Sequence, residues 1–146
     1  MATARDLINN KRVTRTLSIS PESSVLDATK LMAENNVGAL LIETVIDQVQ
    51  GILTERDIIL KVDAKNLDRS QVSVSEIMTA KVLYVESHQS VEECMELMNS
   101  MGIRHLPVYE KGKLLGLVSV RDVLRTVISE QKTMIAHLEN YISGMN

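Results

Sequence analysis

The sequence predicts an α+β protein made of two similar halves, each a small β-sheet packed with two helices and related to the other by approximate twofold symmetry. Three observations carry this. First, Ser24–Met32 (SVLDATKLM) returns as Ser90–Met98 (SVEECMELM) at an offset of 66, and Gly51–Leu60 (GILTERDIIL) is echoed from Gly116 as GLVSVRDVL, with Asp57 and Asp122 65 apart. Second, the apolar period inside each copy switches from helical to extended and back to helical, so the repeat unit is a mixed one. Third, a half of about 60 residues is marginal as an independent fold, so the two halves must stabilise each other.

Each element follows from local pattern. Ala4–Ile8 and its echo Val74–Met78 read as short helical lead-ins. Arg15–Ser20 and Val82–Glu86 read as short extended pieces. Val25, Ala28, Leu31 and Met32 recur at helical spacing, as do Val91, Cys94, Leu97 and Met98. Gly38–Glu43 with Gln50–Leu53, and His105–Tyr109 with Leu114–Val118, read as strand pairs, the second joined by a Glu110–Lys113 turn. A second helix opens at Thr54 and at Ser119. The polar stretch 61–73 connects the copies, which gives domains at 1–70 and 71–146. From Val123 to Ile142 one helical face stays mostly apolar, through Leu124, Val127, Ile128, Gln131, Ile135, Leu138 and Ile142. That length is expected to pack on a partner chain as well as on its own domain.

Composition narrows the function. Hydrophobic residues make up 45% of the chain but aromatic ones only 2%, without Trp or Phe, so stacking platforms for bases are scarce. A net charge of −3, with signs interspersed, disfavours general nucleic-acid binding. No apolar run reaches the roughly 18 residues of a membrane span. The start of the chain has neither a secretory apolar core nor a long Arg- and Ser-rich transit segment, so a cytoplasmic location is expected unless a targeting peptide has been removed. The single Cys94 excludes an internal disulfide and fits a reducing compartment. His88, His105 and His137 are too scattered for a metal site, and neither a nucleophile–base pair nor a P-loop stands out. An enzyme is not expected.

The chemistry concentrates where each strand hands over to its second helix. Thr54 with Asp57, and Ser119 with Asp122, have the spacing of a helix cap, a hydroxyl for the first free N–H groups and a carboxylate in the first turn. The same free N–H groups and dipole can hold an anion. Capped helix start and ligand site both remain open on these residues alone.

Strand, hydroxyl, two spacers, aspartate and helix, given twice and each time preceded by VGALLI or IRHLPV, resembles the CBS-domain family, two of whose domains in tandem form a Bateman module. The resemblance covers roughly residues 13 to 130. It implies a regulatory module that senses an adenosine ligand between the repeats, AMP first, then ATP or ADP, then NAD, and modulates another protein. S-adenosylmethionine or NAD(H) binding, and a structural interaction protein with vestigial pockets, are the alternatives. By position in the family, Asp122 and Asp57 would hold ribose, with Ser119 and Thr54 at the phosphate. Arg104 and His105 match phosphate-reaching positions where the first copy has Gly38 and Ala39. Arg56 and Arg121 could serve either copy. Ser23, Ala28 and Gln50 would complete the Asp122 pocket, and Cys94 and Leu115 the Asp57 pocket. The second copy is therefore expected to bind the phosphorylated ligand more tightly, and a homodimer is expected.

Overall fold

In the computed structural model the described residues are 2–11, 17–45 and 48–144. The elements run α1 (Ala4–Asn9), β1 (Ser18–Ile19), α2 (Val25–Asn35), β2 (Ala39–Val45), β3 (Gln48–Thr54), α3 (Glu55–Lys61), a 3-10 turn (Asp63–Lys65) and α4 (Val74–Ile77). They continue with β4 (Val85–Glu86), α5 (Val91–Met101), β5 (His105–Glu110), β6 (Lys113–Ser119) and α6 (Val120–Gly144). Two three-stranded sheets result, β1-β2-β3 and β4-β5-β6. The fold is α+β with one small sheet and its helices per repeat, as the sequence predicts.

The repeat is visible in the caps as much as in the cores. Ser24 Oγ accepts from Asp27 N (3.0 Å) to start α2, and Ser90 Oγ accepts from Glu93 N (3.1 Å) to start α5. Both helices close on a left-handed residue at the same repeat position, Asn36 (φ 52°) and Gly102 (φ 63°). Lys111 and Gly112, both at positive φ, form the two-residue turn between β5 and β6, the backbone that matches the twist of a hairpin.

Each sheet has its own apolar core, and the two are homologous position by position. Val25, Ala28, Met32, Leu40, Ile42, Leu53 and Ile58 fill the first. Val91, Cys94, Met98, Leu106, Val108, Val118 and Val123 fill the second. In both, the first strand pair is parallel, β1 with β2 and β4 with β5.

The spatial units do not follow the sequence division at residue 70. One compact unit gathers Met1–Thr14, Tyr84–Glu110 and Leu115–Asn146, and the other gathers Arg15–Leu83 and Lys111–Leu114. Each short lead-in helix is thus lent to the other repeat. Ala4 and Leu7 of α1 lie in the second core, where Ala4 N donates to Gln89 O (2.8 Å) and Arg5 N to Ser87 O (3.0 Å). Val74 and Ile77 of α4 lie in the first core, with Val74 N on Ser23 O (2.8 Å) and Ser75 N on Pro21 O (3.0 Å). A four- or six-residue amphipathic helix is not stable alone; its two apolar residues and its backbone N–H groups are satisfied only in that socket.

Boundary differences from the sequence reading are small. The first hairpin is longer than expected, Ala39–Val45 with Gln48–Thr54, and carries register shifts beyond Ile42. The extended segment expected from Arg15 is a strand only at Ser18–Ile19, and its beginning lies outside the described residues. The connection after α3 is less polar in its role than in its composition, since Val62 is fully buried in the first core. No helix among the described residues is long and apolar enough to cross a membrane.

Candidate functional site

The second helix start is built around Asp122, which is 7% exposed. Ser119 ends β6 and caps α6. Its Oγ accepts from Asp122 N (3.3 Å), while Asp122 Oδ2 accepts from Ser119 N (2.8 Å) and Ser119 Oγ (3.1 Å). That is a reciprocal capping box. Oδ2 also lies 3.2 Å from Lys11 Nζ, which donates at 2.6 Å to Leu117 O. Among the described residues the other oxygen, Oδ1, accepts no hydrogen bond and has Arg125 at 3.6 Å, beyond hydrogen-bond range. One carboxylate oxygen is saturated; its twin keeps its acceptor capacity.

The first copy repeats the box with different support. Asp57 Oδ2 accepts from Thr54 N (3.0 Å), and Thr54 Oγ1 accepts from Asp57 N (3.2 Å). Asp57 Oδ1 lies 3.2 Å from Lys61 Nζ, which in turn donates to Ile77 O (2.9 Å). Both aspartates therefore face a lysine that is also anchored on a backbone carbonyl. In the first copy that lysine comes from the same helix, four residues on. In the second it comes from the segment after α1.

The approach to the two helix starts differs in charge. Gly38 O accepts Glu55 N (3.0 Å), and at the same repeat position Arg104 O accepts Val120 N (3.0 Å), so the backbone is held alike. On that shared frame the first copy carries Glu55 beside Gly38, so close that a Cβ on Gly38 would stand 3.1 Å from Glu55 Oε1. The second copy carries Arg104 beside Val120. An anionic side chain in one thus replaces a cationic one in the other. Arg104, Arg121 and Arg56 are exposed, and among the described residues none of their guanidinium groups has an ion-pair or hydrogen-bond partner. His105 is half-buried at the start of β5.

The sequence profile of the CBS domain matches this chain twice, over residues 3–64 and 74–129. The chain belongs to the CBS-domain family. This tandem CBS pair is 42% identical to a putative signal-transduction protein with CBS domains from Burkholderia ambifaria, whose structure superposes with a TM-score of 0.85 over 89% of this chain and 96% of that one. It is 35% identical over 127 residues to the mitochondrial CBS domain-containing protein CBSX3 of Arabidopsis thaliana, covering 84% of this chain but only 62% of that protein. A CBS domain pair solved in complex with methylthioadenosine and S-adenosyl-L-methionine shares the fold, with a TM-score of 0.77 at 22% identity over 89% of this chain and 98% of that one.

Not every side chain expected around a ligand is available to one. Ala28 and Cys94 are fully buried in the two apolar cores. Position in the family marked them as pocket residues; their side chains lie on the inward, packed faces of α2 and α5. Burial, with the charge of Glu93 adding to it, pushes the Cys94 thiol above its ordinary pKa. Ser23 is half-buried and contributes its carbonyl to α4. Gln50 is exposed, and its Nε2 donates to Thr44 Oγ1 at 2.6 Å. Leu115 packs against the second core. Ser23, Ala28 and Gln50 group with Asp57 in one unit of the CBS pair, and Cys94 and Leu115 with Asp122 in the other.

Three site residues went unread in the sequence. Lys61 stands at the i,i+4 spacing from Asp57 that marks a helical ion pair, and Glu55 opposite Val120 is a difference inside the repeated motif; both signals were there to find. Lys11 had none, because its partner is more than a hundred residues away. Two surface cavities, of about 480 Å³ beside Lys65, Leu67 and Gln71 and about 300 Å³ beside Asp6, Asn10 and Glu130, include neither aspartate. Among the described residues no group of three or more His, Cys, Asp or Glu side chains could hold a metal ion.

Proposed function

We propose that this CBS pair is a non-catalytic regulatory module that binds an adenosine nucleotide, AMP before ATP, ADP or NAD, at the helix start carrying Asp122, and passes the occupancy on to a partner protein. One observation carries the reading: a nearly buried carboxylate with one oxygen still free to accept a hydrogen bond stands at the start of α6, next to an unpaired Arg104. A ribose hydroxyl can donate to that oxygen. A phosphate suits the α6 N-terminus with the guanidinium groups of Arg104 and Arg121. Ser119 and His105 complete the donors on that side, and Ser23, Ala28 and Gln50 of the other repeat were expected at the base; of these Ala28 would contribute only backbone.

The first copy supports a second, less anionic ligand. Glu55 beside Gly38 repels phosphate but tolerates a neutral or cationic substituent, and the related pair solved with methylthioadenosine and S-adenosyl-L-methionine carries ligands of that kind. Asp57, Thr54 and Arg56 would bind the nucleoside there, with Leu115 and the backbone at Cys94 as the residues expected from the second repeat. Ligand binding that favours one arrangement of the repeats regulates a partner by linkage. The module is taken to work as a homodimer in the cytoplasm.

Thermal unfolding with AMP, ADP, ATP, NAD and S-adenosylmethionine tests this, because a ligand of the native state raises its stability by mass action. A shift with an adenosine nucleotide that disappears in Asp122→Ala, with circular dichroism unchanged, is the expected result. No shift with any of the five at millimolar concentration sinks the proposal and leaves the capped helix starts as structure alone.

A further inference from the structure

Helix α6 is 25 residues long, about 37 Å, yet only Asp122, Val123 and Thr126 of it are buried. From Ile128 to Gly144 every residue is exposed. Its exposed apolar residues are ordered. Leu124, Ile128, Gln131, Ile135, Leu138 and Ile142 follow one another at alternating steps of four and three, the seam of a heptad repeat. Ile128, Ile135 and Ile142 occupy one seam position (a), and Leu124, Gln131 and Leu138 the other (d). The five apolar ones are each about half or more exposed.

We propose that α6 zips along this seam with α6 of a second copy of the chain as a parallel, in-register, two-stranded coiled coil from Leu124 to Ile142. The proposal rests on the homodimer reading and adds the surface and the orientation. Within a parallel coil, isoleucine at every a position with leucine at Leu124 and Leu138 of the d positions favours two strands over three or four. Gln131 fixes the direction. In a parallel pair d faces d, so the two Gln131 amides meet and hydrogen-bond each other. In an antiparallel pair d faces a, and because every a residue is isoleucine, Gln131 would bury its amide against Ile128, Ile135 or Ile142 in any register. Antiparallel pairing does bring Lys132 opposite Glu139, but an exposed ion pair is worth less than two buried unpaired amides cost. Met134 and Tyr141, both exposed, flank the seam and widen it. With them the stripe offers on the order of 700 Å² per copy, close to the ~800 Å² that a stable interface takes from each partner.

Sedimentation velocity of the full chain, wild type against Ile135→Glu/Leu138→Glu, tests the surface; both side chains are more than half exposed, so the cores stay intact and circular dichroism should retain the sheet signal. The expected result is a halved mass. Oxidation of Leu138→Cys tests the direction: a covalent dimer through paired 138 positions is expected, with wild type as control because Cys94 is buried. Cross-linking only in a mixture of Leu138→Cys with Ile135→Cys would overturn the parallel arrangement. A dimeric wild type whose mass is unchanged by the double variant overturns the seam while the homodimer stands. A monomeric wild type overturns both.

Discussion

The ammonium of Lys11 lies 3.2 Å from Asp122 Oδ2 while donating to Leu117 O, so the carboxylate at the centre of the second helix start is neutralised by a residue from the far end of the sequence. Asp122 can thus be nearly buried without a ligand present. Removing one partner of such a pair leaves the other charge uncompensated. Ser119 and Arg125 remain nearby and Lys11 is a quarter exposed, so Lys11→Met is expected to cost about 1–2 kcal/mol, below the roughly 3–5 kcal/mol of a fully buried pair. A lowered urea midpoint at constant m-value would register it; an unchanged midpoint would mean the pair is thermodynamically idle.

Arg104 is exposed and unpaired among the described residues. If it contacts phosphate, Arg104→Ala removes a charge-assisted hydrogen bond worth about 1.5–3 kcal/mol, a loss of roughly tenfold or more in nucleotide affinity. Adenosine, which has no phosphate, should bind the variant and wild type alike. Titration calorimetry with AMP and adenosine separates the two.

At Gly51 the chain leaves room for its neighbour. A Cβ there would stand 2.6 Å from Met78 Sδ and 3.0 Å from Thr79 O, and Thr79 is held by paired backbone hydrogen bonds to Ile52. Met78 can swing away, but the Thr79 carbonyl cannot. Gly51→Val is expected to cost about 1–3 kcal/mol by overpacking, read as a fall in the thermal midpoint.

Leu7 is 1% exposed in the core of the second repeat. Leu7→Ala should destabilise by about 2–5 kcal/mol. The informative measurement is where amide exchange accelerates: protection should fall first in β5, β6 and α5. Loss confined to the first repeat would contradict the interleaved packing.

Cys94 gives a pH test. Its thiol is held neutral by burial, so its pKa in the folded chain is above the ordinary value of 9.0. The native state then binds more protons than the unfolded chain once pH passes that value, and stability declines as pH rises. Between about pH 8 and 10 wild type should lose stability relative to Cys94→Ala. A parallel pH dependence of the two proteins would assign no such role to the thiol.

The repeat, the strand and helix order and the capping boxes at Asp57 and Asp122 were legible because each is written in adjacent residues: Thr54 three before Asp57, Ser119 three before Asp122, Val91 three before Cys94. Lys11 on Asp122 was illegible because nothing near either residue in sequence names the other. The lending of α1 and α4 was hidden for a related reason. The lead-in Ala4–Ile8 and its echo Val74–Met78 show the same pattern, and two similar helices with two similar sockets leave the pairing undetermined. Ala28 and Cys94 were placed at a pocket by family position; that their side chains lie in the cores was legible too, since their spacing with Val25 and Val91 puts them on the apolar face of α2 and α5.

The exchange of lead-in helices sets an order for synthesis. A chain emerging amino end first presents α1 before any part of the core that receives Leu7, and must keep that segment waiting until Val123 has been made. The first core, by contrast, closes as soon as Ile77 has emerged. The first half can mature on the ribosome while α1 stays unspent, held for the repeat that is made after it.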